Sequence, residues 1–181
     1  MKNKLKVNKG FTLVEMLIAV SLFVVVATIS IGAILSVFDA NRKAQSSKTV
    51  VDNLDLSVEN MARAVRFGSS YYCGISSNIS AVNDCSTGGD AVSVTFNGNR
   101  IIYKLNGTAI QKSEDGGSNY TGITSSDTVI QYLKFYVFGT NVSDTNQPYV
   151  VVVIKGYVGS KPTTQTVFSI ETLMSQRTLD L

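Results

Sequence analysis

The chain opens with a sharp change in polarity. A short, positively charged head over residues 1–10 is followed by an apolar run over residues 11–38, in which Glu15 is the only charged residue. As an α-helix rising about 1.5 Å per residue, this run would span about 42 Å, which exceeds the roughly 30 Å hydrocarbon core of a bilayer. The pattern therefore predicts one membrane-spanning helix.

The helical pattern continues beyond the apolar run. Residues 39–67 contain neither proline nor glycine, and Glu59 and Arg63 are spaced for an i,i+4 ion pair. Apolar residues three and four positions apart form one stripe: Val51, Leu54, Val58, Met61 and Val65. We expect one helix from about residue 11 to residue 67, ended by Gly68-Ser69-Ser70.

The rest of the chain alternates between runs of β-forming residues and turn sequences. The predicted strands cover residues 91–96, 100–105, 108–112, 128–138, 149–154 and 166–173. Asn97-Gly98-Asn99 and Asn106-Gly107 predict tight turns, and the unbroken apolar run at 149–154 predicts a central strand. Because tight turns rather than helical crossovers join these strands, the fold class is α+β: a long N-terminal helix packed on a C-terminal antiparallel β-sheet.

The distribution of charge indicates membrane topology and not a nucleic-acid surface. The net charge is +3, but four of the sixteen cations precede Gly10, and without them 12 cations face 13 anions. A phosphate-binding surface is therefore not supported. By the positive-inside rule, residues 1–10 lie in the cytoplasm and everything after residue 38 lies outside, in a single pass.

The composition offers little for catalysis. The chain has no histidine, no nucleophile paired with a base and no glycine-rich phosphate loop, so we expect neither an enzyme nor a cofactor or metal site. Cys73 and Cys85 stand close together in the extracytoplasmic part. They form either a disulfide, worth roughly 3 kcal/mol through loop closure, or two free thiols.

The segment Gly10-Phe11-Thr12-Leu13-Val14-Glu15 resembles the cleavage and methylation signature of type IV prepilins and type II secretion pseudopilins. The resemblance includes the basic leader with Lys6 and Lys9. It implies a prepilin peptidase that cuts between Gly10 and Phe11 and methylates the new Phe11 amine. It also implies assembly with other pilins or pseudopilins, through an inner-membrane platform, into a filament whose centre is a bundle of N-terminal helices.

Glu15 requires an explanation, because a carboxylate inside a bilayer costs several kcal/mol unless it is paired or neutralised. Cleavage would create an amine at Phe11, about one helical turn away. The pair could form within one subunit or between neighbours, and a pair between neighbours would fix the axial position of an incoming subunit. The alternative is a helix end at the membrane interface with Glu15 simply solvated.

The resemblance implies four segments: a leader at 1–10, a transmembrane and filament-core helix at 11–38, its amphipathic continuation at 39–67, and an extracytoplasmic sheet domain at 68–181. Residues 168–177, with Gln147-Pro148-Tyr149, resemble minor pseudopilins of the J class, which belong to filament tips or priming complexes. Many relatives carry a proline in the apolar helix, whereas here Gly32 is the only helix-weakening residue.

Some pseudopilins hold calcium in acidic loops, which makes Glu114, Asp115, Asp127 and Asp144 candidate ligands. None of these residues follows an EF-hand spacing, and the other interpretation is a solvated turn.

Two functional hypotheses follow from the sequence. The first is a minor pilin or pseudopilin that assembles into a type IV pilus or a type II secretion pseudopilus. The second is a singly anchored surface module, an adhesin or DNA-uptake receptor, that never polymerises. The signature favours the first, since an anchor alone needs neither Gly10 nor Glu15.

Overall fold

The structure is a computed structural model that describes residues 10–141, 146–159 and 165–177, apart from the side chain of residue 50. One helix, α1, runs from Leu13–Phe67 and is followed by strands that form two sheets. The strands are β1 Ser69–Cys73, β2 Cys85–Gly89, β3 Ala91–Phe96, β4 Asn99–Asn106, β5 Ala109–Ser113, β6 Thr121–Gly122, β7 Thr128–Phe138, β8 Tyr149–Val158 and β9 Thr166–Ser175. The chain divides into two compact units, residues 1–42 and 43–181.

Both sheets are antiparallel, which confirms the predicted α+β class. The first sheet has the order β1-β3-β4-β5-β6 and the second has the order β2-β7-β8-β9. The sequence predicted one sheet, and the structure has two. Strand pairing in hairpins is visible in turn sequences, but the division of strands between layers depends on contacts far apart in the chain.

The carboxyl-terminal part of α1 packs on the sheets through one apolar stripe. Leu54, Met61 and Val65 are each 1% exposed or less and join the core formed by both sheets. The prediction was wrong at Val51, which is 64% exposed. The helix still contacts the second sheet further toward the N-terminus, where the Ser47 hydroxyl lies 3.4 Å from the Thr166 hydroxyl, so Val51 is exposed because it points away from the sheets. The predicted ion pair between Glu59 and Arg63 is present at 3.4 Å.

The helix ends where only glycine fits. A Cβ atom added at Gly68 would come within 3.0 Å of the Ala64 carbonyl oxygen and a methyl group of Val94. The chain therefore turns directly from α1 into β1 at Ser69. Helix termination at Gly68-Ser69-Ser70 is confirmed, although the two serines already belong to a strand.

The central strand of the second sheet is β8, as predicted. Val150, Val152 and Ile154 point into the core and are 1% exposed or less. The strand continues past Gly156 to Val158 instead of stopping at residue 154. Gly156 lies opposite a bulge in β7, and a Cβ atom there would clash with the Val129 carbonyl oxygen.

The two predicted hairpin turns are present, one of them shifted. Asn97 and Gly98 both have positive φ, at 52° and 78°, which is the geometry of a type I′ turn. In the next hairpin Asn106 pairs with Ala109, so the turn residues are Gly107 and Thr108.

Candidate processing and assembly site

Gly10 and Phe11 lie outside the helix and are exposed. Phe11 is 80% exposed, and a Cβ atom added at Gly10 would meet no atom of the described residues within 4 Å. Packing against the described part of the chain therefore does not require glycine at position 10. Both residues of this peptide bond are exposed.

Thr12 and Glu15 form a capping box at the start of α1, a feature that the sequence reasoning missed. The Glu15 backbone N–H donates to the Thr12 hydroxyl at 3.2 Å, and Glu15 Oε2 accepts from the Thr12 backbone N–H and hydroxyl, both at 3.4 Å. The signal was present, because Thr-x-x-Glu before an apolar run is a known helix start. Helix α1 therefore begins at Leu13 rather than residue 11.

The apolar side chains that follow have no partner within their own unit. Between Leu13 and Phe38 every large apolar side chain is at least 53% exposed. The helix is long and apolar enough to cross a membrane, with a mean hydropathy of 2.7 over its most apolar window. This surface needs a bilayer or other apolar surfaces to cover it.

Three of the hydroxyl groups inside the apolar run are satisfied by the helix itself. Ser21, Thr28 and Ser30 each donate to a carbonyl oxygen three or four residues earlier, at 2.8 Å. These groups therefore carry no unpaired donor into an apolar environment. The helix passes through Gly32 without interruption.

The structure brings Gly10, Phe11 and Glu15 together at one end of α1. The leader residues Lys6 and Lys9 lie outside the described residues, and so does Asp144.

The two cysteines form a disulfide, Cys73–Cys85, with a Cα–Cα distance of 5.9 Å. Cys73 lies in β1 and Cys85 in β2, so the bond joins the first sheet to the second. Gly89 leaves room for it, because a Cβ atom there would clash with the Cys73 sulfur. The interpretation as two free thiols was wrong.

The carboxylate of Asp115 accepts hydrogen bonds from neighbouring residues of the same turn. Asp115 Oδ1 accepts from the Ser113 hydroxyl at 2.7 Å and from the Ser118 and Asn119 backbone N–H groups at 2.9 Å. These hydrogen bonds, those from Asn119 first, hold the pKa of Asp115 well below its usual range. Glu114 pairs with Lys112 at 2.6 Å.

The described residues contain no group of three or more His, Cys, Asp or Glu side chains that could hold a metal ion.

A buried arginine holds the segment between β1 and β2, and no sequence signal pointed to it. Arg100 is 3% exposed and donates to the carbonyl oxygens of Ser70, Ser76 and Ala81 and to the Thr95 hydroxyl. Burial lowers the pKa of its guanidinium. An arginine in a strand is normally read as exposed, so its burial depends on the tertiary fold.

Comparison with known proteins identifies one matching region. Residues 5–31 match the family described as "Prokaryotic N-terminal methylation motif". No curated protein and no solved structure gives a significant match to the chain. The matched region covers the whole candidate site from Gly10 to Glu15.

Proposed function

We propose that this chain is a minor subunit of a type IV pilus or type II secretion pseudopilus, which the methylation motif and the long helix packed on antiparallel sheets support. The observation that carries the proposal is the exposed apolar surface of residues 13–38, which begins within the motif. A membrane covers this surface before assembly. Neighbouring subunits cover it afterwards.

Processing by a prepilin peptidase is the first step. The enzyme cuts between Gly10 and Phe11 and methylates the new amine of Phe11. The exposure of Phe11 and the absence of any packing need for glycine at position 10 support this step. Lys6 and Lys9 belong to the leader that is removed, so they set topology and bind no ligand.

Membrane insertion precedes assembly. The leader lies in the cytoplasm and residues 68–181 lie outside, since positive charge before an apolar helix is retained on the inner side. An inner-membrane platform then transfers the helix into the filament. Exchange between lipid and protein surroundings is favoured because residues 16–38 are apolar on all sides and the hydroxyls of Ser21, Thr28 and Ser30 are already satisfied.

Glu15 sets the axial position of the incoming subunit. Its two hydrogen bonds to Thr12 are long, at 3.4 Å, and exposed. They can therefore be exchanged for a charge-assisted bond to the Phe11 amine of a neighbour, which is stronger than a neutral hydrogen bond. In an apolar surrounding this pair removes the cost of an unpaired carboxylate.

The minor role follows from the resemblance of residues 168–177 to J-class minor pseudopilins. These residues form most of β9, the outer strand of the second sheet, together with Gln176 and Arg177. A tip or priming subunit uses such a surface to contact different partners.

The test is mass spectrometry of the chain isolated from its host, compared with the variant Gly10→Val. A side chain at position 10 meets none of the described residues, so we expect this variant to change recognition by the peptidase and not folding. We expect the wild-type chain to begin at a methylated Phe11 and the variant to keep residues 1–10. An intact Met1 or a different cut in the wild-type chain would overturn the proposal.

A further inference from the structure

The last strand, β9, leaves a long edge of the second sheet open. It pairs only with β8, over ten consecutive residue pairs without a bulge. The outermost strand of the first sheet, β6, is only two residues long. Among the described residues, no backbone group within β9 bonds to anything on its other side.

This edge lacks the usual protection against strand addition. The sequence Thr166–Ser175 contains no proline, lysine or glycine, and Glu171 is its only charged residue. Val167 and Leu173 are 80% and 59% exposed on its outer face. Natural edge strands normally carry charges, prolines or bulges that block pairing, so an unblocked edge of this length marks a site of strand addition.

A pocket lies at the carboxyl end of the same edge. Its lining residues come from both sides of the sheet: Arg66 from α1 on the inner side, and Leu173 and Ser175 from the outer face, together with Gln176 and Arg177. Because both sides contribute, the pocket straddles the free edge of β9. The Arg177 backbone N–H already donates to α1 at this end, so an extended segment added along β9 would end at the pocket.

The pocket is positively charged. The Arg177 backbone N–H donates to the Arg66 carbonyl oxygen at 2.8 Å, which holds the two arginines together. The Arg177 guanidinium lies 5.9 Å from the Phe67 ring centroid, and neither arginine has a carboxylate partner among the described residues. The nearest acidic residue on β9 is Glu171, four positions before Ser175.

Gln176 supplies an unused acceptor at this site. Gln176 is 6% exposed, and its Oε1 atom has no hydrogen-bond donor among the described residues. A buried acceptor without a donor carries an uncompensated desolvation cost. An N–H group brought in by a bound backbone would remove that cost.

We propose that the free edge of β9 binds an extended segment of a partner protein by strand addition. The chemistry of the edge defines the segment. It carries a carboxylate that reaches Arg66 and Arg177, an aliphatic side chain beside Leu173 and a basic side chain beside Glu171, at alternating positions along the strand. This surface is separate from the N-terminal motif, so the inference does not depend on cleavage or filament assembly.

The experiment places the photoreactive residue p-benzoylphenylalanine at position 175 of the full-length chain in its host. After irradiation, mass spectrometry identifies the residues joined to it. We expect an adduct with an extended segment of another protein that contains an acidic residue. The double variant Arg66→Glu/Arg177→Glu should lower the adduct yield by roughly tenfold, because two attractive pairs become repulsive.

The matched control is Arg63→Glu, which reverses an exposed arginine on the same helix outside the pocket and should leave the yield unchanged. Replacing the partner's acidic residue by lysine should restore the adduct with the double variant. The inference is overturned if the adduct is confined to residues 178–181 of the same chain, if it forms with lipid only, or if no adduct forms. It is also overturned if the adduct yield does not change in the double variant of Arg66 and Arg177.

Discussion

At the scale of single residues, Glu15 has a local task in the capping box and, in our proposal, a second task in assembly. The sequence identified it as the one carboxylate in an apolar helix, and the proposed pairing with an amine followed from the cost of that charge in a membrane. The structure adds its hydrogen bonds to Thr12. The capping box was readable from the sequence, since it depends only on residues three positions apart.

The two tasks can be separated by substitution. Thr12→Ala removes the cap, which is worth about 1 kcal/mol, and keeps the carboxylate. Glu15→Gln keeps a capping oxygen and removes the charge. We expect Thr12→Ala to enter filaments at close to the wild-type level and Glu15→Gln to be excluded, measured by immunoblot of sheared filaments. Equal incorporation of both variants would remove the charge of Glu15 from the mechanism.

Arg100 shows what sequence alone does not reveal. Its guanidinium donates to carbonyl oxygens of Ser70, Ser76 and Ala81 and to the Thr95 hydroxyl, and no carboxylate of the described residues is among its partners. Nothing in a run of alternating strand residues indicates that the arginine, and not an apolar neighbour, is buried.

We expect Arg100→Met to lower the free energy of unfolding by about 2–4 kcal/mol, because several buried carbonyl groups lose a charged donor. Denaturant titration of the full chain in detergent measures this. Arg63→Met is the control, since its exposed ion pair is worth at most about 1 kcal/mol. A similar loss for both variants would contradict the structural role of Arg100.

At the scale of elements, α1 and six of the strands could be predicted from the sequence. Each of them has a regular hydrophobic pattern or is bounded by a clear turn sequence. The three missed strands, β1, β2 and β6, are short and rich in serine, threonine and glycine, or hold a cysteine at one end. Their pairing is irregular or limited to two residues, so tertiary contacts and not local preference place them.

The junction between α1 and β1 is the element boundary most sensitive to side-chain size. Gly68→Ala places a Cβ atom within 3.0 Å of backbone oxygens and of Val94, so we expect a loss of about 1–3 kcal/mol in the free energy of unfolding. Gly122→Ala, where nothing lies within 4 Å, should change stability far less. Thermal or denaturant unfolding of both variants decides this, and equal stability would mean that the junction relaxes freely.

At the scale of the whole molecule, the disulfide and the N-terminal helix each point to the compartments that we propose. The Cys73–Cys85 bond joins the two sheets of the second unit, which agrees with the oxidising compartment that the proposed topology implies. The apolar helix remains uncovered in its own unit. The pairing of strands into two sheets could not be predicted from the sequence, because it depends on contacts far apart in the chain, whereas the charge of residues 1–10 is the basis for the predicted topology.

Reduction of this disulfide should cost about 3 kcal/mol of stability. Denaturant titration with and without a reductant measures the difference, and the double variant Cys73→Ala/Cys85→Ala serves as the control that reductant should not affect. If reductant leaves the wild-type unfolding curve unchanged, the bond does not stabilise the joined sheets.

The central claim is that residues 11–38 leave the membrane and become the core of a filament. The most direct measurement is mass spectrometry of the N-terminal peptide in filaments sheared from host cells. The account predicts the chain in the filament fraction, beginning at a methylated Phe11. A chain that stays entirely in the membrane fraction of cells that make filaments would contradict it.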